Sequence, residues 1–177
     1  MSAHTKGCVS LPRGSMSRLN LIRLIMPRDI VEAYALAMKA RENSSRKAFQ
    51  EVIDFCENDL KCSTDNSRKR NTLLLWSYDR LAQSHFKSND YKAAYNLWKK
   101  ALPLAGSVDL KLNLGWNMLA AADKEVIDIK EKAAKIAETV AMLQELYQKN
   151  NDYDNSQKMQ KLFNTAANLL GKTKLPN

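Results

Sequence analysis

The sequence predicts an all-α fold of about seven helices, and three observations carry that reading. Glycine and proline are scarce, at 5 and 4 in 177 residues, so the many turns of a sheet protein are not provided for. Long stretches consist of Ala, Leu, Lys, Glu and Gln, which lose little on entering a helix. Apolar residues recur at spacings of three and four, the period of a helix with one buried face. A hydrophobic fraction of 45% is ordinary for a packed core, and the length suits one domain with tails.

The elements follow in chain order. Residues 1–26 show no sustained period and are expected to be a flexible segment. Within them, Leu11-Pro12-Arg13-Gly14-Ser15 before Met16 is similar to a protease-cleavable expression linker; the other reading is a flexible basic tail. Pro27, with Asp29 and Glu32 behind it, opens a helix over about 28–41, in which Val31, Tyr34, Ala35 and Met38 follow helical spacing. Asn43-Ser44-Ser45 offers a turn and a cap. A second helix, about 45–60, carries Ala48, Val52, Phe55 and Cys56 on one stripe. The polar run Lys61–Asn71 is the best internal loop candidate.

A third helix, about 69–87, places Leu74, Tyr78, Leu81, Ala82 and His85 on one face. Ser88-Asn89-Asp90 breaks it. A fourth, about 90–104, carries Ala94, Leu97, Trp98 and Ala101 and ends at Ala105-Gly106, where glycine suits a left-handed position. A fifth, about 108–122, carries Leu110, Leu114, Met118 and Ala121. Asp123 is a candidate cap for a long sixth helix, about 124–149, whose stripe is Ile129, Ala133, Ile136, Ala137, Val140, Leu143 and Tyr147. Glu131 with Lys135 and Glu145 with Lys149 are expected on its wet face. After a break at Asn150–Asn155, a last helix over about 155–170 buries Met159, Leu162, Phe163, Ala166 and Leu170, and Gly171 ends it. The organisation expected is a single helical domain over 27–171 with a basic tail, 172–177.

Composition narrows function. Lys and Arg number 28 against 19 Asp and Glu, a net charge of +9, which favours an anionic partner. The excess is spread out, and its densest run is Arg68-Lys69-Arg70. That run is either a solvated helix entry or an anion-binding patch. The three cysteines, Cys8, Cys56 and Cys62, do not form a complete disulfide framework. Cys56 reads as a small buried apolar residue and Cys62 as a loop thiol, with a Cys56–Cys62 bridge open for an exported chain. No stretch reaches the roughly 18 apolar residues of a membrane span, and Leu19–Met26 lacks a clean small-residue cleavage site. The default location is the cytoplasm.

Chemistry-bearing motifs are wanting. There is no glycine-rich phosphate loop and no HExxH or Cys/His cluster. Asp152, Asp154 and Ser156 briefly imitate a calcium loop, but Gln157 stands where its glycine belongs and Phe163 where its glutamate belongs. His85, on an apolar face, reads as a packed, hydrogen-bonded residue. The expectation is a protein that is not an enzyme and takes no metal or cofactor.

The segment from about Leu75 to Val108 offers more. Tyr78, then Leu81-Ala82, then the turn Ser88–Tyr91, then Ala94, Trp98 and Ala101 resemble a tetratricopeptide repeat, a unit of two antiparallel helices. His85 stands where tyrosine is commoner, and Gly106 near the usual proline. The physical logic stands apart from the name. Small residues (Ala82, Ala94) permit a close helix crossing, bulky ones (Tyr78, Leu81, Trp98) fill the flanks, and the short turn forces antiparallel neighbours. Leu114-Gly115 is similar to the Leu–Gly pair of a following unit. Residues 28–60 form a preceding pair, with Ala48 at an analogous position in a slipped register. The resemblance implies antiparallel hairpins stacked as a short array, closed by a long C-terminal capping helix.

It also implies a binding scaffold whose groove takes a peptide or helix of a partner, as an adaptor, chaperone or regulator would. Groove candidates are Arg70, Asn71, Trp76, Ser77, Arg80, Gln83 and Ser84, with Asn113, Trp116 and Asn117 in the next unit. Arg and Asn suit carboxylate or backbone recognition. Trp76 and Trp116 are either core residues or exposed anchors. The alternative is a basic nucleic-acid-binding protein using Arg68, Lys69 and Arg70. An open array end could also be covered by homodimerisation.

Overall fold

The structure is a computed structural model that describes residues 27–58, 64–148 and 153–172. These residues form seven α-helices and no strand: α1 Ile30–Asn43, α2 Arg46–Asn58, α3 Thr64–Lys87, α4 Tyr91–Ala101, α5 Val108–Lys124, α6 Ile129–Gln148 and α7 Tyr153–Lys172. A 3-10 turn, Leu102–Leu104, follows α4. The fold is all-α. The segments 1–26 and 173–177, Cys8, Cys62, Lys149 and the start of the expected break at 150–152 lie outside the described residues.

Local capping sets the first boundaries. Asp29 caps α1, its carboxylate accepting from the Val31 and Glu32 amides at 2.8 and 2.9 Å. Glu32 reaches back to the Arg28 amide at 2.9 Å. Pro27 therefore sits two residues ahead of the cap and is buried, not in the first turn. Ser44 takes a left-handed φ of 50°, and the Ser45 amide closes on the Ala40 carbonyl at 3.0 Å. The hydroxyl of Ser45 then accepts from the Ala48 amide at 3.3 Å and starts α2.

Elsewhere the boundaries depart from expectation. The polar run 64–71 is helical, the first two turns of the 24-residue α3. Residues 67–69, 71 and 72 face solvent, so their polarity reports an exposed face and not a loop. Arg70 turns back instead, its Nε donating to the Cys56 carbonyl at the end of α2. At the other end of α3, Asn89 adopts φ 63° and Asp90 caps α4 through the Ala93 amide at 3.2 Å. His85 Nδ1 holds the second Asp90 oxygen at 2.9 Å. That contact, then the Ala93 amide, keeps the Asp90 carboxyl below its ordinary range.

Helix α4 gives way to the 3-10 turn at Leu102, with Pro103 inside it. No described glycine has positive φ, so Pro103 and not a left-handed Gly106 ends the helix. Asp123 lies within α5 and caps nothing. Tyr153–Asn155 and Gly171 are helical parts of α7.

Consecutive helices pack on one another; α1 also packs on α3, and α5 on α7, while the 3-10 turn touches α3, α4 and α5. This order is compatible with side-by-side antiparallel hairpins, closed by the two 20-residue helices α6 and α7. Gly115 marks the tightest crossing. A Cβ there would stand 2.5 Å from Leu143 Cδ1 and 3.3 Å from Leu162 Cδ1, so α5 meets both closing helices over a missing side chain.

Helix α6 keeps the middle of its expected stripe: Ile136 and Leu143 are buried and Ala133 and Val140 partly so, whereas Ile129 and Ala137 are exposed. Thr139, outside that stripe, is also buried and faces Tyr95, a core residue of α4 absent from the expected stripe. The Tyr95 hydroxyl lies 2.9 Å from the Lys135 carbonyl, 3.0 Å from Glu138 Oε2 and 3.2 Å from Thr139 Oγ1. A buried phenol needs such a partner, and burial pushes its pKa above the ordinary value. Lys135 does not simply pair with Glu131 in water. It is 14% exposed and meets Glu125, 8% exposed, at 2.6 Å, with Glu131 at 3.3 Å.

Two outcomes follow from this packing. Gly115→Val should cost about 1–3 kcal/mol by overpacking, and adding Leu143→Ala should recover part of it; two losses that merely add in urea melts would refute the crossing. Lys99, 2.5 Å from Glu138 and hydrogen-bonded to it, followed by Tyr95, holds the Glu138 carboxyl below its ordinary range. A depressed folded value means stability is present above the unfolded value of about 4.3 and is lost as pH falls through the folded one. Glu138→Gln should therefore flatten the decline of melting temperature below about pH 5, and an unchanged slope would rule out this contribution.

Candidate partner-binding groove

Helix α1 carries two apolar faces. Ala33, Ala37 and Ala40 are fully buried and seat it on the core. The stripe of Val31, Tyr34 and Met38 is real but does not enter the core. Val31 is 71% exposed and Tyr34 59%.

These side chains form one wall of a groove against α3. The opposite wall is Leu73 and Trp76, with Thr72 beside them, and the cavity measures 840 Å³. Leu73 is buried and supplies the floor. Trp76 is half-buried and meets Phe49 of α2 edge to face, with centroids 6.0 Å apart and planes at 89°, so α2 fixes the indole. Arg41, Arg68 and Lys69 rim the cavity. No acidic residue is among its described lining.

A smaller cleft of 140 Å³ opens further along the same two helices, formed by Ser44, Phe49, Arg80, Gln83, Ser84 and Lys87. Arg41 belongs to both cavities. The Arg80 Nε is buried without a hydrogen-bond partner, and its Nη1 is only 3.5 Å from Gln83 Oε1. Arg46 braces the side of the cleft, donating to the Ser84 hydroxyl and carbonyl at 2.7 Å each and to the Ser88 hydroxyl.

The sequence-derived candidates separate cleanly. Trp76, Arg68 and Lys69 line the groove; Arg80, Gln83 and Ser84 line the cleft. Arg70 belongs to neither, because its guanidinium is engaged by the Cys56 carbonyl. Ser77 is fully buried, its hydroxyl without a partner. Asn71 is exposed on α3 outside both cavities. Asn113, Trp116 and Asn117 sit on α5 and also line neither, Trp116 packing partly against the core. Ile30, Val31, Tyr34, Met38, Arg41, Ser44, Phe49, Thr72, Leu73 and Lys87 also line the cavities and are missing from the expected set. Two apolar stripes on the 14-residue α1 were the available signal.

Among the described residues no group of three or more His, Cys, Asp or Glu is placed to hold a metal, and His85 is engaged in capping α4. No described helix is long and apolar enough to cross a membrane. No protein-family model, curated protein or solved structure matches this chain.

The groove wall is expected to be separable from folding. Val31→Ser and Tyr34→Ser should each change stability by less than about 0.5 kcal/mol, whereas Leu73→Ala should cost about 2–5 kcal/mol. Urea melts of the three variants decide this; a large loss for either serine variant would mean that the stripe is structural.

Proposed function

We propose that this chain is a non-enzymatic interaction module that receives a peptide or helix of a partner protein in the α1–α3 groove. The observation that carries the reading is the pair Val31 and Tyr34, both exposed and both on the wall of a cavity that also presents Trp76. A volume of 840 Å³ falls within the usual range of sites that enclose a few bulky groups. Aromatic side chains held by their neighbours are the customary anchors of an interface, and an apolar helix face laid into such a groove is a common recognition mode.

The tetratricopeptide-like reading of the sequence belongs to the same proposal. It takes α1–α2, α3–α4 and α5–α6 as three hairpins and α7 as the closing helix, so that the groove lies between the first helices of adjacent units. Three units are the number such an array needs to bury its faces. A cytoplasmic setting, with homodimerisation as a way to cover an open end, completes it.

The basic alternative is favoured by Arg41, Arg68 and Lys69 around the groove and by the net charge of +9. The two readings separate by experiment. A photo-crosslinking residue at position 34 should capture a discrete protein in cells that the same residue at position 113 does not, and Val31→Asp should abolish the adduct. Identical adducts from both positions would defeat the groove reading. Binding of a duplex oligonucleotide that falls steeply with salt, and further with Arg68→Gln and Lys69→Gln, would favour nucleic acid instead.

A further inference from the structure

From the two cavities together we infer a polarised site: apolar anchors of the partner occupy the Ile30–Met38 end, and a carboxylate of the same segment lodges in the cleft formed by Arg41, Arg80 and Lys87. This rests on the groove reading and adds the chemistry and direction of the occupant.

Three observations carry it. First, Arg41 lines both cavities, so one occupant can span them. From Ile30 to Ser44 helix α1 rises about 20 Å. That length suits about six residues of extended chain or roughly four turns of helix. Second, the charge is one-sided. The cleft gathers Arg41, Arg80 and Lys87, no described residue lining it is acidic, and no ion pair engages these three among the described residues. Two other cations nearby, Arg46 and Arg70, are taken up by fixed protein acceptors instead. Third, the Arg80 Nε is buried and lacks an acceptor. An unmet buried donor is costly, and Arg80 lines the cleft, where a carboxylate would add a charge-assisted partner for its guanidinium. The walls differ as well. Val31, Tyr34, Leu73 and Trp76 make the first cavity apolar, whereas Ser44, Gln83 and Ser84 make the cleft polar.

The test uses the full chain and a phage-displayed library of random peptides, followed by synthetic versions of the enriched sequences. The expected peptides carry apolar residues to one side of an acidic group. Replacing that group by its amide should weaken binding to the wild-type protein on the order of tenfold or more, as for a charge-assisted bond. A C-terminal acid compared with a C-terminal amide distinguishes a chain end from an Asp or Glu side chain. Arg80→Gln and Lys87→Gln should weaken the acidic peptide but not its amide. The peptide comparison on the unaltered protein stands even if Arg80→Gln fails to fold. Apolar peptides that are lost with Tyr34→Asp yet indifferent to the amide exchange would overturn the carboxylate site and leave the groove intact. Enrichment of no peptide sensitive to Tyr34→Asp would overturn the groove itself and the site with it.

Discussion

Close helix approach over small residues is the constraint on which the rest of this fold depends. Ala33, Ala37 and Ala40 seat α1; Ala82 and Ala94 are fully buried in the α3–α4 hairpin; Gly115 lies under Leu143 and Leu162. Each contact brings backbones together and leaves little room for larger groups on the contacting face. For α1 the consequence is direct. A helix that docks through alanines buries little apolar area per residue, and its bulky side chains must then point elsewhere. Val31, Tyr34 and Met38 are those side chains, so the groove is a by-product of the way α1 is seated.

Polar groups drawn into the interior set the remaining rotations. Trp98 Nε1 donates to Asp79 at 2.9 Å, locking α4 to α3. The Tyr78 hydroxyl donates to Glu57 and ties α3 to α2, and burial pushes this phenol, too, above its usual pKa. Tyr95 does the same between α4 and α6. Each buried donor left unmet would cost about 1–3 kcal/mol, which exceeds what a slightly better hydrophobic fit returns. Thr139 can be turned inward because its hydroxyl is met there by Tyr95 and the Lys135 carbonyl. The Ser77 hydroxyl and the Arg80 Nε are the exceptions among the described residues, both buried without a partner; the small size of Ser77 suits the crowded face of α3.

These two forces also explain what was legible in the sequence. Helix existence was readable throughout, because apolar period and turn residues are local. The Asp29 and Asp90 boundaries rest on side chains bonding amides two or three residues away. The start of α3 was misread because polarity at 67–69 marks exposure equally in a loop and on a helix. On α6 the stripe was legible at Ile136 and Leu143, but the inward Thr139 was not, because its partner Tyr95 lies 40 residues away from the Lys135 carbonyl it bonds. Of the residues that line the two cavities, Trp76 and Arg80 were singled out through the repeat resemblance and Arg68 and Lys69 through the basic run. The α1 wall was not, since a period identifies an apolar stripe and does not say which of two stripes meets the core. Arg70 shows the converse: its place in a basic run suggested a ligand, whereas its reach towards the end of α2 gave it a structural bond.

The groove gains from being held by elements that do not line it. Phe49 fixes Trp76 from α2, and Arg46 clamps the start of α2 to the end of α3 beside the cleft. On the proposed reading, a wall braced from behind would lose little freedom on docking a partner, so that less of the contact energy would be spent on ordering side chains. The same bracing separates two kinds of cation. Arg46 and Arg70 have their donors directed at fixed carbonyls and hydroxyls, and a passing anion would have to compete with those acceptors. Arg41 and Lys87 are exposed and Arg80 is half-buried, and no acidic residue is among the described lining of their cleft. The net charge of +9 therefore says less about binding than the division of these five residues between internal bonds and an open surface. That division follows from the seating of α1 and α2 on α3, the same contacts that leave Val31 and Tyr34 outside.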